Sequence, residues 1–167
     1  TEKGIECHRA TFNKRQEYRK FGFYALIIFT FAENIFVMKH IFIVNTVAGS
    51  ESCLDIVKEG IAKCEEEIDY EIYTPDSPED SIDFIKNYIE NHCEEEVRFY
   101  ACGGDGTINK VATGIVGFPN ASMAALPFGT GNDYVKYYGS AEKFKDVCSV
   151  IHGKEKLVDI MKVNERY

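Results

Sequence analysis

The chain has 167 residues, of which 45% are hydrophobic and 13% aromatic, and this is enough material for one hydrophobic core but hardly for two. Its formal net charge is −8 at pH 7, and residues 1–40 are net basic, so the rest of the chain is more acidic than the total indicates. An acidic body argues against a nucleic-acid partner, which requires a basic face.

The amino-terminal part contains an apolar stretch at residues 21–32, preceded by four basic residues. It is shorter than the ~18 apolar residues expected of a membrane span. Met38 begins a segment that leads directly into a strand pattern, so we expect residues 1–37 to be an extension with no role in the fold and residues 38–167 to form the domain. Two alternatives stay open, an interfacial anchor that holds the protein at a lipid surface and an export signal.

Three apolar runs, each typical of a buried strand, end in loops rich in glycine and hydroxyl groups. We name them loop 1 (45–50, Asn-Thr-Val-Ala-Gly-Ser), loop 2 (102–107, Cys-Gly-Gly-Asp-Gly-Thr) and loop 3 (127–133, Pro-Phe-Gly-Thr-Gly-Asn-Asp). Apolar residues recur at helical spacing after loops 1 and 2, and after loop 2 they are Ile108, Val111, Ala112 and Ile115. This alternation predicts an α/β fold with an open parallel sheet, in which all three loops lie at the carboxyl edge, where ligands bind.

The remaining elements follow the same alternation. We predict a strand over 68–74, a helix from Pro78 to about His92 with Ile82, Ile85 and Ile89 facing inward, a short helix after loop 3, a helix over 141–151 and a last strand near 157–163. No internal repeat or low-complexity segment interrupts this order.

Loop 2 has the composition of a phosphate-binding loop. Three glycines in four positions let backbone N–H groups approach an anion without a Cβ in the way, and the helix that follows directs its positive end to the same point. Asp105 is the one residue of loop 2 that does not by itself favour phosphate binding. Phosphate repels a carboxylate unless a divalent cation or a hydroxyl proton lies between them. The pattern therefore indicates a metal–nucleotide complex, although a plain Gly-Asp turn is the alternative for this motif alone.

The cysteines, at positions 7, 53, 64, 93, 102 and 148, contain no CxxC pair, and the four histidines add no ligand-like spacing. We expect reduced, mostly buried thiols in a cytoplasmic protein, and no structural zinc. Cys102 in loop 2 is expected to pack rather than to react.

The three loops belong to three segments, which occur in the order Ile43-Val44-Asn45-Thr46-Val47-Ala48-Gly49, Gly103-Gly104-Asp105-Gly106-Thr107-Ile108-Asn109 and Pro127-Phe128-Gly129-Thr130-Gly131-Asn132-Asp133. In this order and spacing, the segments resemble the catalytic domain of the diacylglycerol kinase and sphingosine kinase superfamily, especially its bacterial lipid kinases. The resemblance extends over about residues 39–164. It departs from the family at Thr46, where the usual residue is proline, so loop 1 lacks a preset φ but gains a hydroxyl group.

The resemblance implies a three-layer nucleotide-binding domain like those of phosphofructokinase and NAD kinase. It also implies an enzyme of lipid metabolism and phospholipid biosynthesis that is peripheral at the inner face of the membrane. ATP and Mg²⁺ would be the cofactors and a lipid such as diacylglycerol the acceptor. The nucleotide-binding residues would be Asn45, Thr46, Gly49, Thr74, Gly103, Gly104, Asp105, Gly106, Thr107, Asn109, Gly129 and Thr130. Asp105 and Asp133 would hold magnesium through water, and Asp105 and Asp159 would be the catalytic carboxylates, although Asp133 has the alternative of a helix cap and Asp159 that of a surface residue.

In the resembled kinases a second, β-rich domain follows and supplies the lipid pocket and the general base. We expect that domain to be absent from this chain, so that the chain is incomplete for catalysis alone. Two alternatives stay open. One is a truncated, non-catalytic remnant, and the other is a related soluble kinase acting on NAD or a sugar phosphate, which the Gly-Thr-Gly-Asn-Asp segment disfavours.

Overall fold

The computed structural model describes residues 6–8, 38–46 and 53–162. The predictions for the apolar stretch at 21–32 and for Gly49 concern residues outside these ranges. The described elements are β1 (Glu6–His8), β2 (Lys39–Val44), α1 (Cys53–Ala62), β3 (Tyr70–Tyr73), α2 (Pro78–Asn91), β4 (Val97–Gly103), α3 (Asp105–Ile115), β5 (Ala121–Pro127), α4 (Asp133–Tyr137), a 3-10 helix (Ala141–Phe144), α5 (Val147–Ile151) and β6 (Ile160–Lys162).

The central sheet consists of four parallel strands in the order β3-β2-β4-β5. Ile43 of β2 lies opposite Tyr73 of β3 on one side and Ala101 of β4 on the other. Gly103, the last residue of β4, lies opposite Pro127 of β5. The chain adds β3 on one side of β2 and then crosses over to add β4 and β5 on the other side. The strand order therefore reverses between β2 and β4.

Helices cover both faces of this sheet, and β2 and β4 are buried almost throughout because each of their faces has a helical layer on it. Residues from α2 and α3 pack on one face, and residues from α1 and α5 pack on the other. The sequence prediction of a three-layer α/β domain with a parallel sheet is confirmed.

Helix α2 begins where its sequence predicts, and two of its three predicted core residues are buried. The Ser77 backbone N–H donates to Asp80 Oδ2 at 2.7 Å, and the Asp80 N–H donates to Ser77 Oγ at 3.3 Å, so a capping box fixes the first turn. Ile85 and Ile89 are buried, whereas Ile82 is only half-buried. A Cβ added to Gly114 of α3 would lie 2.9 Å from Ile85, so α2 and α3 pack at a distance that only a glycine allows.

Two predicted elements near the end of the described chain differ from the structure. The helix expected over 141–151 is divided into the 3-10 helix and α5, because the Asp146 carboxylate accepts hydrogen bonds from the backbone N–H (3.2 Å) and the hydroxyl (2.6 Å) of Ser149 and so starts a new helix. The strand expected near 157–163 is only Ile160–Lys162. It pairs antiparallel with β1 and not with the central sheet.

Strand β1 belongs to the segment 1–37 that we expect to be an extension, and its ladder places Glu6 opposite Lys162. That the domain folds without this extension stays a prediction, and the β1–β6 ladder is one contact that a deletion would remove. Among the described residues, no helix is both long enough and apolar enough to span a membrane.

A buried arginine connects the sheet to the end of α5. Arg98 Nη1 donates to the carbonyl oxygens of Ile151 (2.8 Å) and Gly153 (3.3 Å), Nη2 lies 3.1 Å from the Glu155 carboxylate, and Nε donates to Ser122 Oγ at 3.4 Å. A cation at the carboxyl end of a helix complements the helix dipole. Arg98 therefore stabilises the end of α5 against the face of the sheet.

The same face contains a buried histidine. His40 is 9% exposed, and its Nδ1 lies 2.6 Å from the hydroxyl of Tyr100, which is fully buried. Burial, and next the positive charge of Arg98, lower the pKa of His40 to about 4. Burial also raises the pKa of Tyr100 to about 12, so the pair is a neutral imidazole beside a protonated phenol at neutral pH.

Candidate functional site

Asn45, where loop 1 begins, and loop 2 flank the position where the strand order reverses. The backbone N–H of Asn45 donates to the Cys102 carbonyl at 3.0 Å, which joins the ends of β2 and β4. The side-chain Nδ2 of Asn45 donates to Thr107 Oγ1 at 3.4 Å, which connects loop 1 to the first turn of α3. In open α/β sheets, ligands bind at this reversal. The structure thus brings together Asn45 and Thr107, two residues that the sequence predicted for one site.

Loops 2 and 3 are in direct backbone contact. The N–H groups of Phe128 and Gly129 donate to the Gly103 carbonyl at 3.0 and 3.3 Å. A Cβ added to Gly129 would lie 2.5 Å from the Gly104 Cα and 3.0 Å from the Gly104 nitrogen. Real Cβ atoms essentially never approach backbone so closely. Glycine is therefore required at 129 for the two loops to meet.

The Asp105 carboxylate fixes the start of α4. Its Oδ2 accepts the Asp133 N–H and its Oδ1 accepts the Tyr134 N–H, both at 3.0 Å. These bonds, from Tyr134 first and then from Asp133, hold the pKa of Asp105 below its usual range. Asp105 is also the first residue of α3, so one side chain ties the amino ends of α3 and α4 together.

The space in front of α3 is open beside Gly106. A Cβ added to Gly106 would meet no atom within 4 Å, in contrast to the crowded positions 103 and 129. The fold itself does not require a glycine at position 106, in the first turn of α3. An open position at a helix amino terminus, where backbone N–H groups concentrate positive potential, has the chemistry of a phosphate site.

Asn132 was not among the predicted site residues, and the structure places it inside loop 3. It is 7% exposed and adopts the left-handed conformation (φ 55°, ψ 40°). Its Nδ2 donates to the Gly129 carbonyl at 2.6 Å, whereas its Oδ1 is the one buried side-chain polar atom of the described residues that has no hydrogen-bond partner. Asparagine tolerates left-handed backbone better than most residues. The Gly-Asn pair at 131–132 was the sequence signal for this tight turn.

Other predicted residues lie at the same edge of the sheet. Thr74 is exposed one residue after the end of β3, Thr130 is exposed in loop 3, and Thr46 is exposed in a turn after β2. Asn109 lies on the exposed side of α3, and its carbonyl accepts the Thr113 hydroxyl at 2.8 Å. Their roles toward a ligand stay predictions.

The predicted carboxylates do not form a metal cage. Asp133 is exposed, and its Oδ1 lies 3.3 Å from Lys136 Nζ. Asp159 is exposed directly before β6, a strand outside the central sheet, and no hydrogen bond or ion pair within 38–46 and 53–162 joins it to the loops. In those ranges, no group of three or more His, Cys, Asp and Glu residues is arranged to hold a metal ion.

Cys102 packs as expected. It is fully buried, its Sγ lies 3.5 Å from the Tyr100 carbonyl, and burial raises the pKa of its thiol well above the ordinary value. A neutral buried thiol is a poor nucleophile.

Two curated relatives share the sequence of part of this chain. A protein from Enterobacter sp. (strain 638), named "Probable lipid kinase YegS-like", is 39% identical over 84 residues, which are 47% of this chain and 28% of the relative. A diacylglycerol kinase from Bacillus subtilis (strain 168) is 37% identical over 70 residues, which are 40% of this chain and 23% of the relative. The matched segments thus span about a quarter of each relative.

A solved structure has a similar fold. A crystal structure of a diacylglycerol kinase from Bacillus anthracis str. Sterne superposes with a TM-score of 0.51 at 20% sequence identity, over 68% of this chain and 38% of that chain. At this identity, the similarity shows the fold alone. The family model for the diacylglycerol kinase catalytic domain matches residues 39–163, which include loops 1, 2 and 3. This chain therefore belongs to the diacylglycerol kinase catalytic domain family.

Proposed function

We propose that this chain binds ATP with Mg²⁺ at loops 1, 2 and 3, as the nucleotide half of a lipid kinase that transfers the γ-phosphate to the hydroxyl group of a lipid such as diacylglycerol. Membership of the family and the names of the relatives support kinase activity toward a lipid. The chain would act in the cytoplasm, in peripheral contact with the membrane that contains its acceptor.

The convergence of loops 2 and 3 on the amino end of α3 carries this proposal. Gly104 and Gly129 are in contact, and Gly106 leaves open space beside them. Phosphoryl transfer consists mostly of positioning and charge neutralisation, and this arrangement offers backbone N–H groups and a helix dipole without a side chain in the way. Asn45 and Thr46 of loop 1 would complete this phosphate-binding surface, together with Gly49, which follows them in the sequence.

We infer that Asp105 and Asp133 would hold magnesium through water. Both Asp105 oxygens already accept a backbone N–H, but each carboxylate oxygen can accept a further bond from a water molecule. Mg²⁺ usually keeps several waters and binds through one or two carboxylates together with the substrate phosphates. When bound, magnesium would neutralise charge on the phosphates. The lowered pKa of Asp105 keeps its carboxylate ionised for this role at neutral pH.

Binding of Mg-ATP should raise the melting temperature, because a ligand that binds only the folded state stabilises it by about 2.7 kcal/mol at 100 times its Kd. We expect the Gly106→Ala variant to melt like the wild type without ligand and to lose most of this shift, since its methyl group would occupy the proposed phosphate position. Thermal denaturation followed with and without millimolar Mg-ATP measures both effects.

Two further variants test where the ligand binds and whether the shift depends on magnesium. Lys86→Ala, on the exposed face of α2, is the matched control and should keep the full shift. Asp105→Asn should lose the part of the shift that depends on magnesium. A wild-type melting temperature that does not respond to Mg-ATP, or a Gly106→Ala variant that responds as strongly as the wild type, would contradict the proposed site.

Lipid phosphorylation by a polypeptide of only these 167 residues should be below detection, even where ATP binds. The resemblance assigns the acceptor pocket and the general base to a second domain. An oriented acceptor is worth ~7–11 kcal/mol of barrier in well-aligned cases, and a general base a further ~10²–10⁴-fold. The assay uses radiolabelled ATP with mixed micelles of diacylglycerol, sphingosine and ceramide, and with NAD in parallel.

Lipid turnover clearly above a no-enzyme control, and lost in Asp105→Ala, would show that this chain contains the complete chemistry. Turnover with NAD in place of lipid would instead favour the NAD kinase-like alternative.

A further inference from the structure

Three exposed tyrosines lie on α4 and at its carboxyl end, directly after loop 3. Tyr134 is 41%, Tyr138 45% and Tyr137 86% exposed, whereas Val135 of the same helix is buried in the core. The spacing of the three tyrosines is i, i+3 and i+4, so their side chains share one face of the helix. We name these three residues the α4 tyrosine patch.

The rings of the α4 tyrosine patch contact one another edge to face. The ring centroids of Tyr134 and Tyr138 are 5.4 Å apart, and those of Tyr137 and Tyr138 are 5.1 Å apart, with interplanar angles of 63° and 87°. The three rings therefore form one continuous apolar surface, and a surface of this kind marks a place of contact with a partner. Tyrosine combines an apolar ring with a polar hydroxyl group and is enriched where proteins meet the interface between membrane and water.

The charge around the patch differs from that of the preceding part of the domain. Acidic residues greatly outnumber basic ones over 53–132. In α4 and the 3-10 helix, which contact each other, Lys136 and Lys145 each pair with a carboxylate, at 3.3 and 2.8 Å. Lys143 is also exposed, and it has no carboxylate partner within the part of the chain that the structure describes. The side of the domain around α4 can therefore approach an anionic surface that the acidic segment would repel.

The patch is attached to the edge of the sheet where the proposed phosphate site lies. The Tyr134 N–H donates to Asp105 Oδ1 at 3.0 Å, and Asp105 is the first residue of α3. A lipid hydroxyl group at a membrane surface can reach a phosphate at loop 2 only if this edge of the sheet faces the membrane. A membrane contact on α4 would hold the domain in that orientation.

We propose that the α4 tyrosine patch is the surface through which this domain binds an anionic lipid membrane, with the three rings at the level of the headgroups and Lys143 near the lipid phosphates. This inference rests on the proposed function, because a lipid acceptor is what requires loops 2 and 3 to face a membrane. The strength of such binding follows the buried apolar area and the attraction to anionic lipid. Vesicles that contain phosphatidylglycerol should therefore bind the chain more tightly than vesicles of phosphatidylcholine alone.

A tryptophan reporter locates the contact. The chain has no tryptophan, so Tyr137→Trp introduces a single one into the patch, and tryptophan has the same preference for the membrane interface as tyrosine. We expect its emission to shift to shorter wavelength when vesicles of three parts phosphatidylcholine to one part phosphatidylglycerol are added to the full 167-residue chain. Tyr70→Trp is the matched control. Tyr70 is 43% exposed but is the first residue of β3, at the edge of the sheet opposite to the loops, so its emission should not change.

Vesicle flotation measures the contribution of each side chain to binding. Tyr137→Ala should bind the same vesicles roughly tenfold more weakly than the wild type, since burial of one large apolar side chain is worth about this factor. Its melting temperature should not change, because Tyr137 is almost fully exposed. Lys143→Glu should weaken binding to the anionic vesicles only, and Tyr70→Ala should bind them like the wild type.

Equal vesicle affinities of Tyr137→Ala and the wild type would overturn the proposal. So would self-association in lipid-free solution that Tyr137→Ala abolishes, because the patch would then bind a second copy of this chain.

The melting shift with Mg-ATP, measured on the same samples, separates this inference from the proposed function. Tyr137→Ala should keep that shift. A wild type that shows the shift but does not bind vesicles would overturn this inference alone. Vesicle binding that depends on Tyr137, without any shift with Mg-ATP, would support the membrane surface and contradict the nucleotide site.

Discussion

The Gly129→Ala variant is expected to melt roughly 10 °C below the wild type, which corresponds to about 3 kcal/mol for a domain of this size. The added methyl group would lie 2.5 Å from the Gly104 Cα, a backbone atom that cannot rotate away, so loops 2 and 3 must separate. Thermal or urea denaturation measures the loss, and the same clash should weaken the binding of Mg-ATP.

The matched control for this prediction is Gly106→Ala, the same chemical change in the neighbouring loop. Its Cβ meets no atom within 4 Å, and alanine is favoured over glycine inside a helix by up to ~1 kcal/mol. Gly106→Ala should therefore be as stable as the wild type or slightly more stable. Equal melting temperatures for the Gly129→Ala and Gly106→Ala variants would show that the two loops are not in the contact described here.

The second large effect is a loss of stability as the pH falls from about 6.5 to about 4. Over this window the unfolded state binds a proton at His40, whose ordinary pKa is near 6.5, while the folded state does not, because burial lowers its pKa to about 4. Since the unfolded state binds more protons, the free energy of unfolding decreases as the pH falls, by ~3 kcal/mol in total. Urea denaturation at several pH values measures the slope.

Other groups titrate in the same window, so a difference between variants isolates His40. Arg98 and His152 oppose its protonation, whereas Asp69 and Glu66 favour it. His40→Asn places a polar atom near the position of Nδ1 but does not titrate, and it should lose most of the slope whatever its absolute stability. His152→Gln should keep the pH dependence that comes from His40. The raised pKa of His152 has the opposite effect, because it makes the free energy of unfolding increase as the pH falls. A slope in His40→Asn as steep as that of the wild type would contradict the prediction.

The parallel sheet and its loops were predictable because their signals are local. Each strand of the sheet is a short apolar run that ends in a glycine- or threonine-bearing segment, and the Ser77–Asp80 capping box marks the start of α2 within four residues. The prediction failed where competing signals overlap. Apolar residues continue through 141–151, yet the bonds from Ser149 to Asp146 divide that segment into two helices.

The sequence names candidate residues for the site, whose roles toward a ligand stay predictions, but it does not indicate the contacts among them. The sequence indicates that Asp105 lies in an anion-binding loop, but it does not show that its carboxylate accepts N–H groups from Asp133 and Tyr134. Such bonds connect residues almost thirty positions apart, and only the sheet order brings them together. For the same reason, the buried Oδ1 of Asn132 and the pairing of β6 with β1 have no signature in the sequence.

The position of β2 between β3 and β4 leaves one edge of β2 unpaired for part of the time that the chain is being synthesised. Strand β2 is bordered by β3, made shortly after it, and by β4, made only after α2 is complete. Until the ribosome has released β4, the run Ile41-Phe42-Ile43-Val44 has an open hydrogen-bonding edge and uncovered apolar side chains. Such segments are where nascent chains associate wrongly. Acidic residues at 65–67 and 94–96 lie on either side of β3 and α2. They would keep the nascent segment between them solvated until β4 is available to pair with β2.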